Sequence, residues 1–478
     1  MVGSSQEPLL EVYYDNCPGC IQDKKNECAR GIPYREFFFV WLIMFATVLP
    51  VACLFPFLYF MIRDLKIAKR VEDIGFYAGF VGASFMLGRA LTSTVWGIIA
   101  DRYGRKPVMV IGTITVIIFN TLFGLSVNYW MAIITRFLLG ALNGLIGPIK
   151  AYAIEVCNKE HQALGIGVSK KLVTPWGVAL VMGPAIGGYL SQPAEKFPNV
   201  FSTVPLFNWF PYFLPCLCIS LIAVAALIGC IWLPETLHTH GIDKQVESIE
   251  ASTESNKKET MGPSPPKQNL LKNWPLMSSI LLFCIFSLDD MAFTEIFSLW
   301  AESDKRFGGL SFPSEDTGQV FVVSGFSLLL VQLFIYARLN RLLGPIILAR
   351  ICAALSIPLL FGFPFMTYLS GPILSVVVNC ASLLKNILSV TIVNGTFILQ
   401  NNAVPQDQRG AANGISITAM SLFKAVAPAA AGAIFSWAQK RQQAAFLPGD
   451  QMVFFILSVV ELIGLIWTFR PFLGLPEK

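Results

Sequence analysis

Ionisable side chains sit inside stretches that are otherwise too apolar to hold them, among them Arg89, Arg136, Asp289, Asp290, Glu295, Lys385 and Lys424. A charge at membrane depth is costly and is kept where it pairs, faces water or serves transport. A carboxylate held away from water takes up a proton more readily, so Asp289 and Asp290 are candidate proton carriers. Glu295 lies nearer the end of its stretch, where an interfacial position would also explain it. Arg89, Lys385 and Lys424 suit an organic substrate bearing carboxylates, because arginine and lysine make charge-assisted bonds to such groups. With Glu295, whose carboxylate would meet amines, they are expected to line a substrate cavity. The same cations would repel a bare divalent metal, and none of the 3 histidines falls inside an apolar stretch.

Two clusters outside those stretches carry softer chemistry. Cys17-Pro18-Gly19-Cys20 is a Cys-x-x-Cys pair, suited to a soft metal or a redox couple. Pro234-Glu235-Thr236-Leu237-His238-Thr239-His240 adds the imidazoles of His238 and His240, which could complete a four-ligand regulatory zinc site. A capping turn and a flexible tail would explain the same residues without metal. The 11 cysteines imply no disulfide framework. No nucleophile–base constellation and no G-x-x-x-x-G-K-[ST] loop occurs, so neither an enzyme nor an ATP-driven pump is expected, and no cofactor is required. With 35 Lys+Arg against 30 Asp+Glu and no basic block, nucleic acid is not an expected partner.

The elements that must position these residues are membrane helices. The chain is 54% hydrophobic and only 14% charged, where a soluble domain carries about 25% charged residues. Apolar runs long enough to span a bilayer fall near 37–62, 75–99, 107–125, 129–151, 168–190 and 211–232. Six more fall near 274–298, 317–337, 345–367, 372–399, 412–436 and 452–470. This predicts an all-α membrane protein with twelve transmembrane helices in two six-helix bundles, 37–232 and 274–470. A polar linker over 233–273 is expected to be largely disordered. Short tails, 1–36 and 471–478, flank the bundles. Loops on the Asp101 side carry the larger share of Lys and Arg, which places that side, the linker and both termini in the cytoplasm.

Three patterns join helices to mechanism. Trp96 to Lys106 links spans two and three and holds Gly97, Asp101, Arg102, Gly104, Arg105 and Lys106, a G-x-x-x-D-R-x-G-R-K pattern. Span four carries Arg136 with Gly140 and Gly144, whose four-residue spacing permits close helix packing. Span five carries Gly183, Pro184, Gly187 and Gly188, a kink and a small-residue face for packing on the other half. The halves also echo each other. Ala427-Pro428 in span eleven mirrors Gly183-Pro184, and Arg338 to Gly344 between spans eight and nine mirrors the Asp101 loop without its aspartate.

These motifs resemble those of the major facilitator superfamily. With the Cys-Pro-Gly-Cys and Pro-Glu-Thr-Leu-His-x-His pair, the chain is similar over nearly its whole length to the plant zinc-induced-facilitator-like branch. The resemblance implies the major facilitator fold and a conformational latch, in which Asp101 meets the N-terminus of span eleven and Arg102 and Arg105 support it. It associates Arg136 with proton transfer, with Glu155 as a second place to look, and the Gly183–Gly188 motif with antiport. It implies a proton-coupled antiporter of a small amino-carboxylate chelator, nicotianamine or a mugineic-acid phytosiderophore, in zinc and iron homeostasis. Zinc itself, potassium/proton exchange, auxin-related transport and a non-transporting metal sensor remain alternatives. A monomer in the vacuolar or plasma membrane is expected, with protons as the coupling ion.

Overall fold

The computed structural model describes residues 17–28, 33–156, 175–201, 204–237, 270–404 and 408–474. Most of the 233–273 linker, together with His238 and His240, lies outside these residues, as does part of the segment before span five. An N-terminal helix α1 (Pro18–Cys28) precedes the first bundle. That bundle comprises α2 (Tyr34–Ala52), α3 (Phe55–Asp64), α4 (Ile74–Tyr103), α5 (Arg105–Gly124), α6 (Tyr129–Ala141), α7 (Ile146–Glu155), α8 (Pro175–Leu190) and α9 (Phe213–Ile231). The second contains α10 (Trp274–Glu302), α11 (Ser314–Leu330), α12 (Tyr336–Gly362), α13 (Gly371–Asn402), α14 (Arg409–Gln439) and α15 (Asp450–Trp467). Nine of the described helices are long and apolar enough to cross a membrane. With the broken and shorter ones they make up the twelve-helix arrangement.

Two spans are broken, and side chains satisfy the exposed backbone, as the apolar interior of a membrane demands. The first span divides between α2 and α3, beside Pro50 and Pro56. The fourth divides between α6 and α7, and the freed Ala141 carbonyl accepts from Thr92 Oγ1 at 2.6 Å and Trp96 Nε1 at 2.8 Å, both on α4. Span eight extends beyond its expected end. It continues from α11 through one π-helical turn, Val331–Ile335, to a break at Gly344 inside α12.

Gly344 (φ 74°, ψ 160°) adopts nearly the conformation of Gly104 (φ 109°, ψ 159°), at equivalent turns of the two halves. Both positions have a positive φ that side chains resist. The sequence echo between 97–106 and 338–344 is therefore a shared backbone turn that needs glycine.

The bundles touch chiefly along two helix pairs, α4 on α14 and α8 on α11, and α3 adds contacts to α10 and α11. Glycines allow the approach. A Cβ at Gly79 would strike the Pro428 carbonyl, and Gly188 lies against Gly318. Phe76 N–H donates to Ser436 Oγ at 2.7 Å, and Lys440 pairs with Asp73 at 2.6 Å. All of these contacts lie toward the end of the bundle that holds Asp73. Toward the opposite end, at Gly97 of α4 and Gly414 of α14, added side-chain atoms would meet open space. The halves are closed at the Asp73 end and splayed at the Asp101 end.

Candidate functional site

The walls of the cleft follow from helix register. Gly75 and Gly82 of α4 face α14, and Arg89 continues that stripe seven residues further on. On α14, Pro428 and Phe435 face α4, and Lys424 lies one turn below Pro428. The pairing of Gly75 with Phe435 and Gly82 with Pro428 puts Lys424 level with Met86, and Arg89 about one turn deeper. Arg89 and Lys424 thus stand on facing walls just past the last cross-bundle contact. Neither has an ion-pair or hydrogen-bond partner among the described residues, and both are half-buried. Two cations on facing walls of an opening cleft can form charge-assisted bonds to an anionic group.

Glu295 closes the top of this cleft. It is 1% exposed, neither carboxylate oxygen has a hydrogen-bond partner among the described residues, and it lies against Gly82 and Pro428. An interfacial position is therefore excluded: it is sealed where the halves meet.

Lys385 corrects the expectation of a cavity cation. It is 0% exposed, and its Nζ bonds Asp289 Oδ2 at 3.0 Å, Ser389 Oγ at 2.9 Å and Glu461 Oε2 at 3.4 Å. Its charge is spent inside the second bundle, neutralised by carboxylates from α10 and α15. Asp289 is accordingly held by Lys385 inside the second bundle, whereas Asp290, next along α10, is only half-buried. Glu461, near the middle of α15, is the third member of this cluster and was not singled out from the sequence, because nothing in its own helix points to Lys385.

Arg136 and Glu155 do not meet. Arg136 is buried, donates from Nη1 to Pro50 O at 2.8 Å, and stacks on Phe123 at 4.0 Å. It braces the break in the first span. Gly140 and Gly144 abut the Phe85 backbone and the Trp96 ring, the close packing expected of their spacing. In span five, Gly183 and Gly187 pack on Ala52 and Cys53 of the same half, and Gly188 alone of these glycines reaches the other half, at Ser314 and Gly318.

Glu155 belongs instead to a network at the Asp101 end. Arg105 bridges Asp101 and Glu155, with 3.2 Å to the latter, and Thr236 Oγ1 donates to Glu155 at 2.6 Å. Glu235 accepts the backbone N–H groups of Arg105 and Lys106 at 3.0 Å each, capping α5. A carboxylate at a helix N-terminus contributes about 0.3–1 kcal/mol, more when partly buried. Lys106 Nζ reaches the Ile231 carbonyl at 3.2 Å, and exposed Arg102 lies over Tyr103 at 5.8 Å. The Asp101 side chain is 69% exposed and pairs with Arg105, so it is not docked on the N-terminus of α14. The expected latch contact is open in this conformation because the halves are apart at that end.

The Cys-x-x-Cys pair packs onto the strap that follows α9. Cys17 and Cys20 are buried, Gly19 N–H donates to the Leu237 carbonyl at 3.1 Å, and Cys17 Sγ approaches the same carbonyl at 4.0 Å. No group of three or more His, Cys, Asp or Glu with metal-site geometry occurs among the described residues.

Sequence reasoning also missed the plug at the closed end. Lys196 bonds the Gly188 carbonyl at 2.6 Å, Ser314 Oγ at 2.7 Å and Ser191 Oγ at 3.2 Å, and pairs with Glu315 at 3.4 Å. Burial pulls its ammonium below the usual lysine range, with Glu315 opposing that shift.

Two half-bundles that meet at one end around a charged cleft define an alternating-access membrane carrier. Residues 40–404 match the family model of the Major Facilitator Superfamily, and the chain belongs to that family of multi-pass membrane transporters, which are not enzymes. Within it the chain falls in the zinc-induced-facilitator branch. It is 55% identical to the Arabidopsis thaliana protein ZINC INDUCED FACILITATOR-LIKE 1, covering 98% of both chains, and 51% identical to ZINC INDUCED FACILITATOR 1 of the same plant, covering 99% of both. Its fold resembles a bacterial homologue of the human lysosomal transporter Spinster, solved inward-facing and unoccupied, with TM-score 0.65 at 14% identity over 92% of this chain and 97% of that one.

Proposed function

We propose that this transporter exchanges protons for a small amino-carboxylate metal chelator, nicotianamine or a mugineic-acid type, in zinc and iron homeostasis. The observation that carries the reading is the unpaired Arg89 and Lys424 on facing walls of the cleft. Carboxylates of the chelator would bridge them when the cleft opens, and Asp290 would offer a partner for its amines. The two cations disfavour naked Zn²⁺, which needs several close donor ligands and little positive charge nearby. The Asp101 side, richer in Lys and Arg, is read as cytoplasmic, so the conformation described is inward-open. On closure at that end Asp101 would dock on the N-terminus of α14, whose dipole favours a carboxylate.

Substitution tests the cation pair. In proteoliposomes, R89A and K424A should each raise the KM for labelled nicotianamine at least tenfold, since a charge-assisted bond contributes about 1.5–3 kcal/mol. Unchanged KM in both variants would refute this binding site. A second role, cytosolic zinc sensing by Cys17 and Cys20, is favoured by the docking of α1 on Leu237, the residue that precedes His238 in the sequence.

A further inference from the structure

Glu295 is one of two buried, unpartnered carboxylates on the same face of α10. Glu302, seven residues on, is 4% exposed, and neither of its oxygens has a hydrogen-bond partner among the described residues. Ser298 lies between them on that face and donates from Oγ to the Phe55 carbonyl of the first bundle at 2.5 Å. The steps from Glu295 to Ser298 and from Ser298 to Glu302 are rises of about 4.5 and 6 Å along the helix. The row runs from the top of the cleft to the last residue of α10, one turn from the exposed Lys305 and Arg306.

The surroundings give neither carboxylate a counter-ion in contact. Glu295 faces Gly82 and Pro428, which carry no charge. Around Glu302 stand Thr317 of α11, Lys196, and Arg63 and Tyr59 of α3, with Glu295 on its own helix. Thr317 lies beside Glu302 without hydrogen-bond geometry, and Lys196 is already bound to Glu315. A shared metal ion is excluded by the rise of about 10.5 Å between the two residues, since metal–oxygen distances are near 2–2.6 Å.

We propose that Glu302 and Glu295 are two successive proton sites that gate the Asp73 end, Glu302 exchanging with the solution there and Glu295 with the cleft. An uncompensated buried carboxylate charge costs several kcal/mol, so the sealed interface accepts both groups only when each carries a proton. Loss of the protons places two unpaired charges in a dry contact, and the halves part at that end to hydrate them. Protonation therefore favours the conformation described here, and deprotonation the opposite one. No bond other than O–H forms or breaks, and each proton is returned to the solution it faces. This deepens the antiport reading and rests on it, for it names the groups that couple the proton to the conformational change.

The test reads conformation without needing a substrate. Nitroxides carried on unnatural amino acids at Val127 and Tyr368, exposed on opposite halves at the Asp73 end, report the separation by pulsed electron resonance in nanodiscs. Raising pH should shift the wild-type population from short to long distances. The double variant E295Q/E302Q should stay short at every pH, and each single variant should lose part of the response. A wild-type distance that ignores pH, or a double variant that responds like wild type, would overturn the relay. Nicotianamine-driven proton movement in proteoliposomes separates the two claims. Coupling retained in the double variant removes the relay alone, whereas its absence in wild type removes proton antiport and the relay with it.

Discussion

Lys385→Met should destabilise the second bundle without touching the substrate site. The substitution keeps the volume of the side chain but strips the counter-charge from Asp289 and Glu461, each 1% exposed and bonded to Lys385. Removing one partner of a buried ion pair costs about 3–5 kcal/mol, because the remaining charge stays buried. At about 1.4 kcal/mol per decade this is a factor of roughly 10² to 10⁴ in the folding equilibrium. It is a large share of the ~5–15 kcal/mol that typically holds a protein folded. The triple variant K385M/D289N/E461Q removes all three charges and should recover most of the loss, as replacement of whole buried ion clusters commonly does. Thermal unfolding of the purified protein in detergent, followed by tryptophan fluorescence, measures both effects. The molecules that remain folded should keep the wild-type KM for nicotianamine. K385M melting with wild type, or a raised KM at normal stability, would refute the structural role and return Lys385 to the cavity.

Three further outcomes follow from the same geometry. Gly79→Val adds atoms that would strike the Pro428 carbonyl, so closure at the Asp73 end should be blocked and the distance between labels at Val127 and Tyr368 should lengthen at all pH; an unchanged distance would contradict the close packing. Asp101→Asn removes an exposed charge whose pair with Arg105 contributes about 0–1 kcal/mol. Its melting should match wild type while nicotianamine flux falls strongly, and normal flux would dispose of the latch. Replacing both Cys17 and Cys20 with Ser should abolish any response of transport to zinc on the side of the termini and leave zinc-free transport intact; a persisting zinc response would remove these residues from sensing.

Much of this architecture was legible because it rests on local rules. Apolar runs of span length fixed the helix count, and Gly104 and Gly344 betrayed the repeated turn because only glycine tolerates that backbone. The sevenfold spacing from Gly75 through Gly82 to Arg89 could have been read as a single face turned toward the other half. Long-range partnership was not legible. Lys385 and Glu461 are 76 positions apart, and nothing local in either helix announces the other. Glu302 was hidden by its place at a helix end, where a carboxylate normally meets water; only the packing of α10 on the first bundle buries it. The state of the Asp101 latch depends on which end is open, and a motif that serves both states cannot report it.

Paired uptake tests the central claim most directly. Proteoliposomes holding the purified protein and an imposed pH gradient are given labelled nicotianamine in one set and labelled zinc without chelator in the other. The structure-based account predicts concentrative, gradient-dependent nicotianamine uptake that R89A and K424A weaken, with zinc uptake no higher than in empty vesicles. Zinc flux without nicotianamine flux would contradict it.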